Sequence, residues 1–440
     1  MGNSTIVAQA TPSGRSGVAV IRISGPNAFL YAKKLSQFSK KTPHHTVRLL
    51  PIYDSNQQVI DKAIFTFFKS PRSYTGEDVV EISCHGNPHI SESIIETIRS
   101  LGASTAEPGE YTKRAFLNGK MDLSQAESVA LLISSRSKDA ALHQLNNING
   151  AISKKIKTIR KELMLSLSSL EFELDVSEDI DTLKTTIRKS LKYINNNILH
   201  VSGLVRSHAR GSVYSSGIRV VIAGAPNVGK STLSNRLLGA DRSIVNKTAG
   251  TTRDTISADI TIAGAPITIV DTAGIRPTSN KTEEAGVNRA VSEIERSNLV
   301  LSVFTHKIQA IDNIEDKEQI MVYNKEDEKK YSGSDKNVIA VSALKNTGIK
   351  KLFSAIEKKI NSALPYSEDT LINTERQKSA LEDCLVFLNK SKEHLESGGA
   401  SLELATVDIR SAIDSLDAFL GKVTTEDILD QVFSSFCVGK

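Results

Sequence analysis

The chain has 440 residues, 39% apolar and 24% charged, with no tryptophan and a net charge of +5. That length exceeds one ordinary domain and points to two to four, each with enough apolar material for a core. No apolar run approaches the ~20 residues a bilayer crossing requires, and the mild basic excess permits RNA contact without arguing for it. Met1-Gly2-Asn3-Ser4 lacks the basic-then-apolar pattern of a signal peptide, and Ile6 stands where a myristoylation signal wants Ser or Thr. Three widely separated cysteines, Cys84, Cys384 and Cys437, have no metal-type spacing and suit a reducing, cytoplasmic setting.

Residues 1–118 read as mixed strand and helix. Val18–Ile23 and Ala63–Phe68 are strand-like, and Asp78–Ile82 alternates in part, as a half-buried strand does. Ser24-Gly25-Pro26 and Gly86-Asn87-Pro88 supply turns, and Ile90–Leu101 has helical periodicity ending at Gly102. From about Asp122 to Arg210 the period stays helical, with Ile156, Ile159, Leu163, Leu167 and Leu170 forming one stripe. Lys154, Lys155, Lys157, Arg160 and Lys161 spread around that helix as a solvated face. A second helical block runs from about Thr374 to Phe436, its last helix opened by a capping box from Thr424 to Asp427. Between the blocks lies an alternating strand–helix segment, flanked by Gly211–Gly217 and Leu364–Ser367. Such an arrangement suggests an inserted domain whose ends lie close together, with the two helical blocks forming one discontinuous domain; two separate helical domains are the competing picture.

The inserted segment carries ordered nucleotide motifs. Ile218–Ala223 is a buried-strand candidate leading into Gly224-Ala225-Pro226-Asn227-Val228-Gly229-Lys230-Ser231, which fits G-x-x-x-x-G-K-[ST], with Thr232 next. Convergent amides and a helix N-terminus favour phosphate there; Lys230 suits the β- and γ-phosphates and Ser231 a Mg2+ ion. Thr251 and Thr252, in a loop with Ala249 and Gly250, suit a switch, with Thr252 completing the Mg2+ shell. Asp271-Thr272-Ala273-Gly274 follows an apolar run: Asp271 can hold the metal through water and Gly274 can contact the γ-phosphate. In Asn324-Lys325-Glu326-Asp327, Asp327 can accept from guanine N1 and N2 together, a pairing adenine cannot satisfy and worth on the order of 10⁴-fold in discrimination. Ser342-Ala343-Leu344 follows the strand Val338–Val341 and would offer N–H to guanine O6. Together these motifs imply GTP binding and hydrolysis.

Ile275 stands where Ras-like domains place a water-orienting glutamine, so water positioning and charge stabilisation must come from elsewhere. An arginine finger supplies ~10³–10⁵ in rate. Asn227, helping to bind a monovalent cation, can stand in for that charge, and Glu283 or Glu284 can orient water, although either glutamate also reads as an exposed helix-start carboxylate.

These motifs, with Thr5–Pro12, Gly17–Gly25, Ser73–Asp78, Arg114–Lys120 and the terminal Phe436-Cys437-Val438-Gly439-Lys440, resemble the tRNA-modification GTPase family MnmE (TrmE) along essentially the whole chain. The resemblance implies a multidomain α/β and α protein: an N-terminal α+β tetrahydrofolate-binding and dimerisation domain over 1–118, a discontinuous helical domain over 119–215 and 366–440, and an inserted Ras-like α/β P-loop GTPase domain over 216–365. One-carbon tetrahydrofolate (5-formyl- or methylene-type) contacts fall on Arg22, Glu81, Lys120 and Lys440. K+ ligands fall on Asn227, Asn246, Thr248 and Thr251, with Lys247 in the same GTP-contacting loop. Glu283 takes the water-orienting role, three residues before Gly286, and K+ replaces the arginine finger. Family members form homodimers and act with MnmG (GidA), in a heterotetramer-type complex, to modify C5 of the wobble uridine (U34) of certain tRNAs. FAD and NADH belong to that partner. Cys437 is a candidate for the modification chemistry, against the plainer reading of a small core residue. A polar Thr305–Gln319 and a weakly apolar Tyr331–Lys336 depart from the family pattern at the periphery. The alternative of another class is a GTP-dependent RNA-binding switch in ribosome assembly; no RRM or KH signature accompanies it.

Overall fold

The computed structural model describes residues 4–38, 46–176, 180–240, 257–262, 264–271, 291–306, 317–333, 335, 337–363, 370–397 and 401–440. The chain divides into two compact units, Met1–Ala130 with Asn147–Tyr193 and Val386–Lys440, and Leu131–Asn146 with Ile194–Leu385.

The first unit opens on a mixed sheet of β1 (Ile6–Gln9), β2 (Ser16–Ser24), β3 (Thr46–Tyr53), β4 (Val59–Phe68), β5 (Val79–Gly86) and β6 (Ser104–Thr105), ordered β3-β4-β5-β2-β1-β6. Neighbours are antiparallel except β1 with β6. Strand alternation sends Ile21, Ile23, Phe65, Phe67, Val80 and Ile82 into one core. Against them pack Tyr31 and Leu35 of α1 (Ala28–Ser36) and Ile94 and Ile98 of α2 (Pro88–Ser100). Helix α2 starts where the turn reading places it: the Asn87 side chain accepts from the His89 N–H and Pro88 occupies the first turn. A short α3 (Glu110–Leu117) follows.

Helices α4 (Leu123–Ser134), α5 (Lys138–Ile148), α6 (Ala151–Val176) and α7 (Ile180–Ser216) fill the expected helical stretch. Later come α10 (Glu375–Glu396), α11 (Leu402–Leu420) and α12 (Glu426–Ser434). The stripe Ile156, Ile159, Leu163, Leu167 and Leu170 of α6 is buried throughout, and α6 packs against α11. Here the solvated-face reading needs correction at Arg160. Its guanidinium bonds both carboxylate oxygens of Asp417, at 2.7 and 2.8 Å, and Lys422 joins at 3.0 Å. A planar fork meeting a carboxylate is the strong form of such a pair. The capping box is also corrected by one residue: Thr425, in extended backbone, is the N-cap and accepts from the Ile428 N–H. Leu429 and Phe433 then pack with Phe436, Leu123 and Ala126.

The second unit is an α/β layer built on β7 (Ile218–Ala223), β8 (Ser257–Ile262), β9 (Ala265–Asp271), β10 (Leu299–Phe304), β11 (Gln319–Tyr323) and β12 (Ile339–Ala340), ordered β12-β11-β10-β7-β9-β8. All neighbours are parallel except the edge strand β8 on β9. Burial on both faces explains the near-continuous apolar runs of β7 and β10. Helices α8 (Lys230–Ala240) and α9 (Ile349–Ala363) bury Leu233, Leu237, Leu352 and Ile356 against the sheet. The Gly211–Gly217 flank is helical almost to its end: α7 runs through it to Ser216. Gly211 is there because a Cβ would strike the Ile372 carbonyl, and Gly217, at φ 77°, ends the helix in the left-handed conformation. Among the described residues no helix is long and apolar enough to cross a membrane.

Candidate nucleotide-binding site

The loop between β7 and α8 is shaped by close approaches that only glycine permits. Gly224 has φ 150°, and a Cβ there would strike the Val303 carbonyl of β10. Gly229 has φ 88°, and its Cβ would sit 2.5 Å from Nδ2 of Asn324. Asn227 also lies at positive φ, 65°, a conformation asparagine tolerates better than most residues. Lys230, 8% exposed, folds back so that Nζ donates to the carbonyls of Gly224 and Ala225, each at 2.8 Å. Burial pushes its pKa down while the charge of Asp271 opposes that shift. Asp271 ends β9 beside Ile222 of β7 and is 3% exposed. A buried ammonium thus sits in the glycine cradle within electrostatic reach of a buried carboxylate. Val228 anchors the loop in the core, and Ser231 and Thr232 are exposed on the first turn of α8. Open amides, a cation and exposed hydroxyls at a helix N-terminus are what a polyphosphate and a hard divalent ion need.

The other end is built around Asn324, 2% exposed just after β11. Its Nδ2 donates to the Val228 carbonyl at 2.9 Å, and its Oδ1 accepts from the Ala343 N–H at 3.1 Å. One buried side chain therefore ties the phosphate loop to the Ser342–Leu344 turn. Lys325 follows at φ 65°, the Glu326 N–H bonds the Val341 carbonyl at 3.1 Å, and Asp327 emerges exposed. Ser342 and Thr347 exchange backbone bonds at 3.0 and 3.2 Å, and the Lys345 N–H bonds Ser342 Oγ at 3.0 Å. Two arginines that sequence reasoning passed over also act in this unit, Arg236 at the base end and Arg136 at the β8–β9 edge. Arg236 of α8 bonds carbonyls of the Ser342–Leu344 turn. Arg136 Nη1 reaches Asp259 of β8 at 3.3 Å and Thr268 of β9 at 3.1 Å, and its Nη2 reaches the Ser216 carbonyl at 2.8 Å. Neither stands in a motif, and only the folded register brings them to these partners. Asn246, Lys247, Thr248, Ala249, Gly250, Thr251, Thr252, Thr272, Ala273, Gly274, Glu283 and Glu284 lie outside the described residues.

In the first unit, Arg22 of β2 and Glu81 of β5 are direct cross-strand partners, with Nε and Nη2 reaching Oε1 at 2.9 and 2.8 Å. Arg22 Nη1 also bonds the Gly439 carbonyl at 3.2 Å. The C-terminus is not a loose tail: Val438 bridges Pro108, and a Cβ at Gly439 would strike the Gln9 carbonyl. Lys440 is thereby held near Arg22 and Glu81. Burial and the Arg22 charge lower its pKa, and Glu81 opposes them. Tyr74 and Tyr111 flank the Arg22 guanidinium at 5.7 and 5.5 Å. Lys120 stands apart from that trio, donating to the Pro71 carbonyl at 2.9 Å. Cys437 is exposed, which corrects the reading of a core cysteine. An open groove of about 600 Å³ runs beside this segment, bordered by Gln9, Thr11, Glu96, Arg99 and Val438.

Comparison with known proteins follows the same layout. The family described as "GTP-binding protein TrmE N-terminus" matches residues 5–120, and that described as "MnmE helical domain" matches residues 123–437. A tRNA modification GTPase MnmE of Thermotoga sp. (strain RQ2) is 38% identical over 454 residues, covering 99% of this chain and 100% of that one. The protein of the same name from Aquifex aeolicus (strain VF5) is 37% identical over 449 residues, covering 99% of each. That of Christiangramia forsetii is 36% identical over 477 residues, covering 100% of this chain and 99% of the relative. With matches spanning both units and full-length relatives of this likeness, the chain belongs to the MnmE (TrmE) family.

Proposed function

We propose that this chain is a tRNA modification GTPase that hydrolyses GTP in a K+-dependent manner. Acting with a flavin-dependent MnmG (GidA) partner, it adds a carboxymethylaminomethyl group to C5 of the wobble uridine of certain tRNAs. The observation that carries the nucleotide half is Asn324: it couples the phosphate cradle to the base-end turn, so one ligand can engage both. Lys230 neutralises β- and γ-phosphate charge, Ser231 and Thr232 line the entrance to the helix, and Asp271 polarises water on the metal side. Asp327, exposed and one turn beyond Asn324, accepts from the guanine N1–H and 2-amino group. Mg2+, held by Ser231 and Thr252, would screen the phosphates. K+, held by Asn227 with Asn246, Thr248 and Thr251, would supply the positive charge of an arginine finger. Glu283 orients the attacking water.

The N-terminal cluster fits a folate. Arg22 and Lys440 are like charges crowded together with one carboxylate, and an anionic ligand relieves that repulsion. Glu81 has acceptor capacity for a pterin edge, the half-buried Tyr74 offers an apolar face, the buried Tyr111 backs the Arg22 guanidinium, and Lys120, held apart at the Pro71 carbonyl, is the remaining cation of the set. The N-terminal domain over 1–118 also serves as the homodimer contact, and the protein works in the cytoplasm.

Comparing tRNA nucleosides from cells with and without this protein tests the proposal: loss of the wobble-uridine modification is expected, and an unchanged profile favours the ribosome-assembly switch instead. Replacing K+ by Na+ should depress turnover sharply, with the difference abolished by Asn227→Ala. Equal rates in both salts refute the cation's role.

A further inference from the structure

The guanidinium of Arg236, half-buried on α8, spans two consecutive carbonyls: Nε donates to Ala343 at 2.9 Å and Nη2 to Leu344 at 3.1 Å. A trans peptide points its C=O and the following N–H in opposite directions. Holding the Ala343 carbonyl toward α8 therefore turns the Leu344 N–H away from that helix. The surrounding amides are already committed: Ser342 to the Thr347 carbonyl, Ala343 to Asn324 Oδ1, and Lys345 to Ser342 Oγ. Within residues 342–345 the Leu344 N–H alone has no protein partner among the described residues, and Leu344 is 66% exposed. Within residues 342–345 of the described chain, one oriented donor is left.

We propose that Arg236 is a positioning residue for guanine recognition: by clamping the Ala343 and Leu344 carbonyls it fixes the Leu344 N–H as the donor to the 6-carbonyl of the base. This rests on the assignment of residues 342–344 to the base end of the nucleotide. Arginine suits the task because its planar fork bridges two acceptors at once, whereas the lysine ammonium is a point donor on a flexible stem. Without the clamp the turn keeps its Asn324 and Thr347 bonds but loses the constraint on the one peptide plane that matters.

The experiment measures affinities of GDP, 6-thio-GDP and IDP for the full chain with Mg2+, in wild type, Arg236→Met and Arg236→Lys. Sulfur at position 6 is a weak acceptor, so 6-thio-GDP reports on the 6-carbonyl contact, while IDP lacks the 2-amino group and reports on Asp327. Wild type should bind 6-thio-GDP about tenfold more weakly than GDP, the size of one good hydrogen bond. In Arg236→Met that ratio should fall to about twofold, with the GDP-to-IDP ratio unchanged and GDP itself weakened about tenfold; Arg236→Lys, which can hold one carbonyl, should lie between. Should the Met variant fail to fold, Arg236→Lys alone must still narrow the GDP-to-6-thio-GDP ratio. Equal weakening of all three nucleotides makes Arg236 merely structural and overturns the proposal. A wild type that separates GDP from IDP but not from 6-thio-GDP overturns it as well, leaving the guanine site standing. A wild type indifferent to all three removes the guanine assignment itself.

Discussion

Gly229→Ala tests whether the two ends of the nucleotide site are mechanically one. At φ 88° an alanine carries left-handed strain of about 1–2 kcal/mol. Its Cβ would lie 2.5 Å from Asn324 Nδ2, so the amide must move. Moving it breaks the bonds to Val228 at 2.9 Å and Ala343 at 3.1 Å, both buried. At about 1 kcal/mol each these losses bring the total to roughly 3–4 kcal/mol. The unbound loop can relax, whereas bound nucleotide needs the cradle and the base turn in register, so most of the cost falls on binding. Calorimetric titration with GDP and Mg2+ should show Kd raised by about 10²- to 10³-fold. Gly239, also on α8, is the control: among the described residues nothing lies within 4 Å of its Cβ. Gly239→Ala should leave Kd unchanged and stabilise the helix by about 0.5–1 kcal/mol. A Gly229→Ala protein that melts normally and binds GDP within threefold of wild type would refute the coupling argument.

Three further outcomes follow from the same geometry. Burial would raise the Asp417 pKa, but the bonds from Arg160 and Lys422 outweigh it and hold the carboxylate below its usual value. Its stabilising contribution is therefore present above the ordinary Asp range and lost as pH falls through the folded value. Asp417→Asn should cost about 1–3 kcal/mol at neutral pH and flatten the acid limb of a urea-midpoint-versus-pH curve; an unaltered limb counts against it. His143 adds to the same acid-side loss by a different cause: burial lowers its pKa against hydrogen bonds with Asn373 and Leu371. Below about pH 6.5 the unfolded chain takes up the proton more readily, so stability declines as pH drops, and His143→Gln should reduce that slope. Asp327→Asn should weaken GTP binding and favour xanthosine triphosphate, measured by competition, because the extra carbonyl of xanthine replaces a donor; an unshifted preference would displace the guanine pocket.

The parallel strands of the second unit are readable because burial on both faces leaves runs such as Val220-Val221-Ile222 without polar interruption. The phosphate loop is readable because its glycines answer local steric demands. Edge strands are not: β3 buries only Ile52, contains Pro51 and exposes Val47 and Leu49, so its alternation is too weak to register. Thr425 and Thr424 are equivalent in composition, and only backbone dihedrals decide which hydroxyl meets the helix. Arg22 with Glu81, Arg160 with Asp417, and the docking of the C-terminal segment on Pro108 and Gln9 depend on partners far along the chain. A family resemblance could raise Arg22, Glu81 and Lys440, but no local signal could.

Arg136 has a practical corollary for anyone dissecting this molecule. It joins Asp259, Thr268 and the Ser216 carbonyl, and Ser137 Oγ donates to the Gly264 carbonyl at 2.7 Å. Residues 131–146 thus travel with the nucleotide-binding sheet, although some 70 residues of helix separate them from its first strand. A fragment excised at 216–365 would strip the β8–β9 hairpin of these caps and leave Asp259 facing water without its cation. Its behaviour in isolation would then misreport how firmly the strand bearing Asp271 is held in the intact chain.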